Sequence, residues 1–182
     1  MSHSSPLPST DRVVDIATDL IAIDTQNPPG DVRAIADYVE ELLAAAGFDT
    51  ERAVTDPAKP NVLATLPGDR DRTLLYNGHV DTVPFDAGAW TRDPFGERDE
   101  ARLYGRGATD MKGPLAAMLA AGEALALADR DPPVSVAFAV ASDEETGGSA
   151  GVDTLVESGA FGRIARRLRD RRDHLLARAS LR

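Results

Sequence analysis

The residues best suited to chemistry stand in three short clusters. The first is Gly78-His79-Val80-Asp81-Thr82-Val83-Pro84, at the end of the apolar run Leu74-Leu75-Tyr76. An extended segment alternates its side chains, so His79 and Asp81 point to one side. An imidazole placed there can coordinate a metal ion, and the carboxylate behind it fixes the ring's tautomer and raises its basicity. The same pair also describes a hydrogen-bonded structural histidine. The second cluster, Gly105-Arg106-Gly107-Ala108-Thr109-Asp110-Met111-Lys112-Gly113, is a glycine-punctuated loop that carries one carboxylate and opens a helix. The third, Ser142-Asp143-Glu144-Glu145-Thr146-Gly147-Gly148, closes another apolar run with three consecutive acids. Adjacent carboxylates at a strand end repel one another and are costly unless a cation or solvent compensates them. His79 and Asp110 lie 31 residues apart, Asp110 and Glu145 lie 35 apart, and each cluster follows a strand-like segment. In an open parallel sheet such ends converge on one crevice. Jointly the clusters read as a metal site.

The elements that must position them follow from periodicity. Val13, Val14, Ile16, Ala17, Leu20 and Ile21 form a helical apolar stripe that starts at Asp11, with Thr10 or Asp11 available as cap. Asn27-Pro28-Pro29-Gly30 ends it. A second helix is expected from Asp31, burying Ile35, Val39, Leu42, Leu43 and Ala46 and stopping at Gly47. Residues 48–54 read as an edge strand, and 61–66 and 72–76 as further strands. Residues 85–95 lack a regular period and should form a loop, with Trp90 as a buried anchor. A helix is expected over 113–128, with Pro114 in its first turn. In Val134-Ser135-Val136-Ala137-Phe138-Ala139-Val140-Ala141 large residues alternate with small ones and neither face is charged, which fits a central strand covered on both sides. A short helix over 150–158 follows. The expected fold is a three-layer α/β domain with a largely parallel sheet.

Composition narrows the chemistry further. The 182 residues carry a formal charge of −10, and a chain of this length can bury a real core. Residues 1–162 sum to −16, whereas 163–182, with eight arginines and two aspartates, sum to +6. Acids are mostly Asp, and Lys59 and Lys112 are the only lysines. That surface suits either a protein kept soluble in concentrated salt or a GC-rich genome that favours Arg codons. It argues against nucleic acid as a partner of the main domain. With no cysteine, disulfides and thiolate ligands are excluded, leaving His and carboxylates. No apolar run approaches a membrane span and residues 1–10 lack a signal-peptide pattern, so a cytoplasmic protein with no membrane partner is expected.

Taken together, the His79, Asp110 and Glu145 motifs resemble the co-catalytic zinc amidohydrolases that include acetylornithine deacetylase, succinyl-diaminopimelate desuccinylase, aminoacylase and carboxypeptidase G. The likeness covers about residues 10–162. It implies that His79 ligates one zinc, Asp110 bridges two, Glu145 ligates the second, Glu144 is the general base and Asp81 orients His79. Cobalt could replace zinc. It also implies a cis peptide at Asp110-Met111. The implied reaction is removal of an N-acyl group from an amino acid, as in amino-acid biosynthesis, by a metal-activated water whose proton Glu144 takes. The substrate would be a small N-acyl amino acid or dipeptide.

Three segments are expected: a flexible leader (1–10), the N-terminal part of a zinc-hydrolase catalytic domain (11–162), and an Arg-rich tail outside the family pattern (163–182). In the tail Ile164, Leu168, Leu175, Leu176 and Ala179 make an imperfect apolar stripe, which suggests a basic helix lying on the acidic body or a stretch unrelated to selected structure. Of the implied ligand set only His79, Asp110 and Glu145 are present, and the oligomerisation domain of relatives is absent. The chain is therefore expected to be truncated and weak or inactive; the alternative reading is a non-catalytic fragment of such an enzyme. Without metal, Asp81, Asp110, Asp143, Glu144 and Glu145 would form an uncompensated acidic cluster.

Overall fold

The computed structural model describes residues 7–179, with side chains up to residue 170. Most of the expected leader therefore lies outside the described residues. Helix α1 (Thr10–Ala22) starts where Ser9 accepts a hydrogen bond from the Arg12 N–H at 3.1 Å, and it buries Ile16, Ala17, Leu20 and Ile21. Helix α2 (Arg33–Ala45) buries Ile35, Val39 and Leu43 of the expected stripe and Ala36 besides, whereas Leu42 is only partly buried. Strands β1 (Asp49–Ala53), β2 (Asn61–Leu66) and β3 (Arg70–His79) follow. The loop over 85–95 holds a short 3-10 turn, and a two-stranded ribbon, β4 (Glu97–Arg98) with β5 (Leu103–Tyr104), leads into α3 (Lys112–Ala126). Strand β6 (Val134–Ala141), α4 (Val152–Glu157) and α5 (Ala160–Ala179) complete the chain.

The main sheet has the order β1-β2-β6-β3. The α/β class stands, but the sheet is mixed rather than largely parallel: β3 pairs with β6 in parallel, whereas β1 with β2 and β2 with β6 are antiparallel. The reason is the short link between β2 and β3, which reverses the chain. When β6 inserts between them parallel to β3, it must oppose β2. β6 is buried along nearly its whole length, as its lack of a polar face predicts. Val136, Phe138 and Val140 face one core with α1, α2 and α3, while Ala137 and Ala139 face a second core with Leu155, Ala160, Ile164 and Leu168. The helices thus form outer layers on both faces.

Helix α5 runs without a break across residue 162. Ile164 and Leu168 are buried, and Arg163 and Arg167 reach Glu51 of β1 at 3.3 and 2.6 Å. Each buried aliphatic side chain contributes roughly 1.5–3 kcal/mol. Partly exposed ion pairs contribute about 0–1 kcal/mol. Apolar burial therefore holds this first part of the Arg-rich segment on the sheet, and charge adds little. The side chains of Leu175, Leu176 and Ala179 lie outside the described residues.

Candidate metal centre

Because β3 and β6 are parallel neighbours, His79 at the end of β3 stands opposite Ala141 at the end of β6. The three acids that follow Ser142 therefore emerge beside His79. Asp110 comes from the loop entering α3, and this loop is pressed onto β3: the His79 N–H points at the Met111 sulfur at 3.3 Å. A Cβ added at Gly78 would meet Met111 Cε at 2.8 Å, so the Met111 side chain packs directly over the Gly78 backbone. The Asp110-Met111 peptide is cis.

One ligand atom each from His79, Asp110 and Glu145 lie within 4.8 Å of one another. His79 Nε2 is 3.2 Å from Asp110 Oδ1 and 3.8 Å from Glu144 Oε2. On its other side Nδ1 is 3.1 Å from the Asp81 carbonyl oxygen and 3.3 Å from Asp81 Oδ1. Burial opposes a charge on this ring, but hydrogen bonding to Asp81, the Asp81 charge and the contact with Asp110 outweigh it and raise the His79 pKa to about 9. Burial first, and then the neighbouring acids Asp110, Asp81 and Glu144, raise the Glu145 carboxyl against the lowering effect of His79. The donor set is one imidazole and two carboxylates with no thiolate, which suits zinc or cobalt.

The five acids are not alike, and the expectation of an uncompensated cluster needs correction. Asp81 is fully buried; its Oδ1 accepts the Glu144 N–H and its Oδ2 the Glu145 N–H, both at 3.0 Å, and Asn27 Nδ2 donates to Oδ2 at 2.8 Å. Asp81 therefore holds the turn carrying Glu144 and Glu145 as well as the His79 ring. Asp143 points away from the crevice mouth. Lys59 Nζ and Thr146 Oγ1 each donate to its Oδ1 at 2.6 Å, Asn27 Nδ2 donates at 2.8 Å, and the Ala150 N–H reaches Oδ2 at 3.1 Å. Burial alone would raise its pKa, but these donors hold it well below the usual carboxylate range.

Three contributors were not picked out from the sequence. Asn27 belongs to the Asn27-Pro28-Pro29-Gly30 stretch read only as a helix end, yet its amide bridges Asp81, Asp143 and Thr146. Lys59 neutralises Asp143. Lys112 is 2% exposed and donates from Nζ to the Ile23 carbonyl at 2.7 Å, tying the Asp110 loop to the end of α1, and burial lowers its pKa to about 8. A signal existed: these are the chain's only two lysines, and both are committed here. Trp90, expected as a buried anchor, is instead half-buried and lies edge-on to Phe85 at 5.7 Å between ring centroids.

Comparison with known proteins agrees with this geometry. The model of peptidase family M20/M25/M40 matches residues 75–177, a span that continues past residue 162 into α5. A succinyl-diaminopimelate desuccinylase of Methylobacterium radiotolerans is 40% identical over 180 residues, covering 94% of this chain and 42% of that protein. One from Cereibacter sphaeroides is 42% identical over 125 residues, covering 66% of this chain and 32% of the relative. The chain thus spans less than half the length of these relatives. Among solved structures, an M20 family metallo-carboxypeptidase from Sulfolobus solfataricus superimposes with a TM-score of 0.74 at 26% identity, covering 84% of this chain and 35% of that one. Human carnosine dipeptidase 1 gives 0.72 at 28% identity, covering 82% and 35%. The family match includes all three clusters and covers more than half of the chain, so the chain belongs to peptidase family M20/M25/M40.

Proposed function

We propose that this chain carries part of the active site of a metal-dependent hydrolase that cleaves the amide of a small N-acyl amino acid or dipeptide. The observation that carries the reading is the gathering of ligand atoms from His79, Asp110 and Glu145 within 4.8 Å at the ends of two parallel strands. Relatives named for desuccinylation and dipeptide cleavage support the substrate class. His79, Asp110 and Glu145 would hold the metal, zinc first and cobalt as an alternative. When bound, such an ion supplies Lewis acidity, acidifying water and polarising an amide carbonyl.

The chain's own residues supply the rest. His79 carries a proton below about pH 9, so it must release that proton before it can act as a ligand, and Asp81 then holds the neutral ring in one orientation. Glu144 has an exposed carboxylate 3.8 Å from His79 Nε2, while its backbone is fixed by Asp81. It is free to take a proton from water at the crevice and return it to the departing amine, a contribution on the order of 10²–10⁴ in rate.

The test is titration of the metal-stripped 182-residue chain with cobalt, followed by visible absorption, beside hydrolysis assays of N-succinyl-diaminopimelate and N-acetylornithine in the presence of zinc. Cobalt affinity should fall more than about 100-fold in His79→Gln, since loss of an outer partner alone commonly costs about 10–100-fold. Turnover should fall by about 10²–10⁴ in Glu144→Gln. Cobalt binding unchanged in His79→Gln would overturn the metal centre; turnover above background that Glu144→Gln leaves equal would remove the general base, and equal background in both would mean that this chain does not turn over by itself.

A further inference from the structure

The segment after Asp81 and the loop before Asp110 wall a second feature, an open cavity of about 640 Å³ lined by Phe85, Asp86, Trp90, Arg92, Tyr104 and Arg106 among others. That size falls within the range of small-molecule sites. Its charged groups are not equivalent. Asp86 accepts a hydrogen bond from the Gly88 N–H at 2.9 Å, and Arg92 is paired with Glu97 and Asp99 while its guanidinium lies 4.6 Å above the Tyr104 ring. Arg106 differs. Its guanidinium carbon sits 5.3 Å from the Trp90 centroid and 5.7 Å from that of Phe85, its Nε is buried with no hydrogen-bond partner, and no carboxylate pairs with it among the described residues.

In a chain with 30 acids, a half-buried guanidinium left without one calls for explanation. Its backbone is held from two sides. The Arg106 N–H donates to the Pro94 carbonyl at 2.7 Å, and Gly107, at φ +82°, packs its backbone where a Cβ would come within 2.8 Å of Thr82. Phe85 follows Asp81 by four residues and Arg106 precedes Asp110 by four, so the two segments that line the cavity are the ones that carry Asp81 and Asp110. A guanidinium presents a planar fork matched to a carboxylate, and stacking on aromatic rings holds that fork in a fixed orientation. We propose that the cavity is a subsite for a carboxylate on a short aliphatic chain, held by Arg106 beside the Phe85–Trp90 ring pair. As a substrate subsite it rests on the hydrolase reading above; as a carboxylate site it stands without it. The carboxylate could be the free end of a diacid acyl group or the α-carboxylate of the amino acid.

Trp90 is the chain's only tryptophan, so its fluorescence reports on this cavity directly. The chain is titrated with succinate in the presence of EDTA, which separates this test from metal binding. A saturable change in Trp90 emission is expected, weakened about 10–100-fold in Arg106→Gln, the range set by a lost hydrogen bond to a charged group. Arg98→Gln, which removes the same charge from the exposed β4 ribbon, should leave the affinity within about twofold. Far-UV circular dichroism checks the fold of Arg106→Gln; should that variant fail to fold, Arg106→Lys, which keeps the charge but loses the fork, should still weaken binding. N-ethylsuccinamate carries only the acyl-side carboxylate and N-acetylornithine only the α-carboxylate, so the one that reproduces the succinate response identifies the source. No saturable response in the unaltered chain, or an equal response in a folded Arg106 variant, overturns the subsite. Succinate binding that persists while cobalt binding fails the His79→Gln test would leave the subsite standing and the metal reading refuted.

Discussion

Two tiers of carboxylate share one crevice. In the lower tier, Asp81 and Asp143 are 0% and 2% exposed, and both accept hydrogen bonds from several donors. In the upper tier, the side chains of Asp110 and Glu144 are 75% and 56% exposed, and their nearest cationic partner is His79. The contrast separates two uses of the same chemical group. A buried carboxylate is tolerated only when donors replace its lost water, and those donors are what lock the loops together. An exposed carboxylate keeps lone pairs free for an ion or a proton. The lower tier builds the turn, and the upper tier is left available by it.

The sharpest way to break this comparison is at the bottom. Asp143→Ala would leave the Lys59 ammonium, whose side chain is 15% exposed, without its partner. We expect a loss of about 3–5 kcal/mol in unfolding free energy by urea denaturation, the usual cost of breaking a buried pair from one side. Replacing both partners, as Lys59→Met with Asp143→Leu, should recover part of it. A single variant that unfolds like the unaltered chain would show that the lower tier does not hold the turn.

A smaller effect should appear where the tiers meet. The His79 pKa is raised to about 9 in the folded chain from an ordinary value of 6.5. A raised pKa means that the folded state binds the proton more tightly than the unfolded state. The stabilisation is therefore fully present below about pH 6.5 and is lost as pH rises towards 9. Lys112, whose pKa is lowered to about 8, acts in the opposite direction from there upwards. The informative quantity is thus the difference between the metal-free chain and His79→Gln in thermal melts across this range. The advantage of His79 should shrink with rising pH; a difference that stays constant would mean that the Asp81 contact does not hold the proton.

The smallest effect is expected at the top. Glu144→Gln removes an exposed charge whose side chain accepts no hydrogen bond from a buried donor among the described residues, so unfolding free energy measured in EDTA should change by no more than about 0.5 kcal/mol. A change comparable to that of Asp143→Ala would collapse the distinction between tiers.

Much of the scaffold was legible in the chain. The stripe of α1, the α2 face, the edge position of β1 and the doubly covered β6 all follow from periods of two or 3.6, which record local geometry and burial. The candidate ligands were legible because acids massed at strand ends are conspicuous against an apolar run. Within Asp143-Glu144-Glu145, however, the spacing could not tell which acid turns down towards Lys59 and which two stay in the crevice. Nor could it show that Asn27 would bridge Asp81 and Asp143, 54 and 116 residues away, or that Arg106 would be stacked without an anion. The mixed direction of the sheet was equally hidden, since it depends on β6 entering between β2 and β3. Local pattern fixes which groups are present and which face of an element is buried. Hydrogen-bond partners and the state of each charge are set by segments far apart in sequence that meet only when the sheet closes, and no short-range period encodes that meeting.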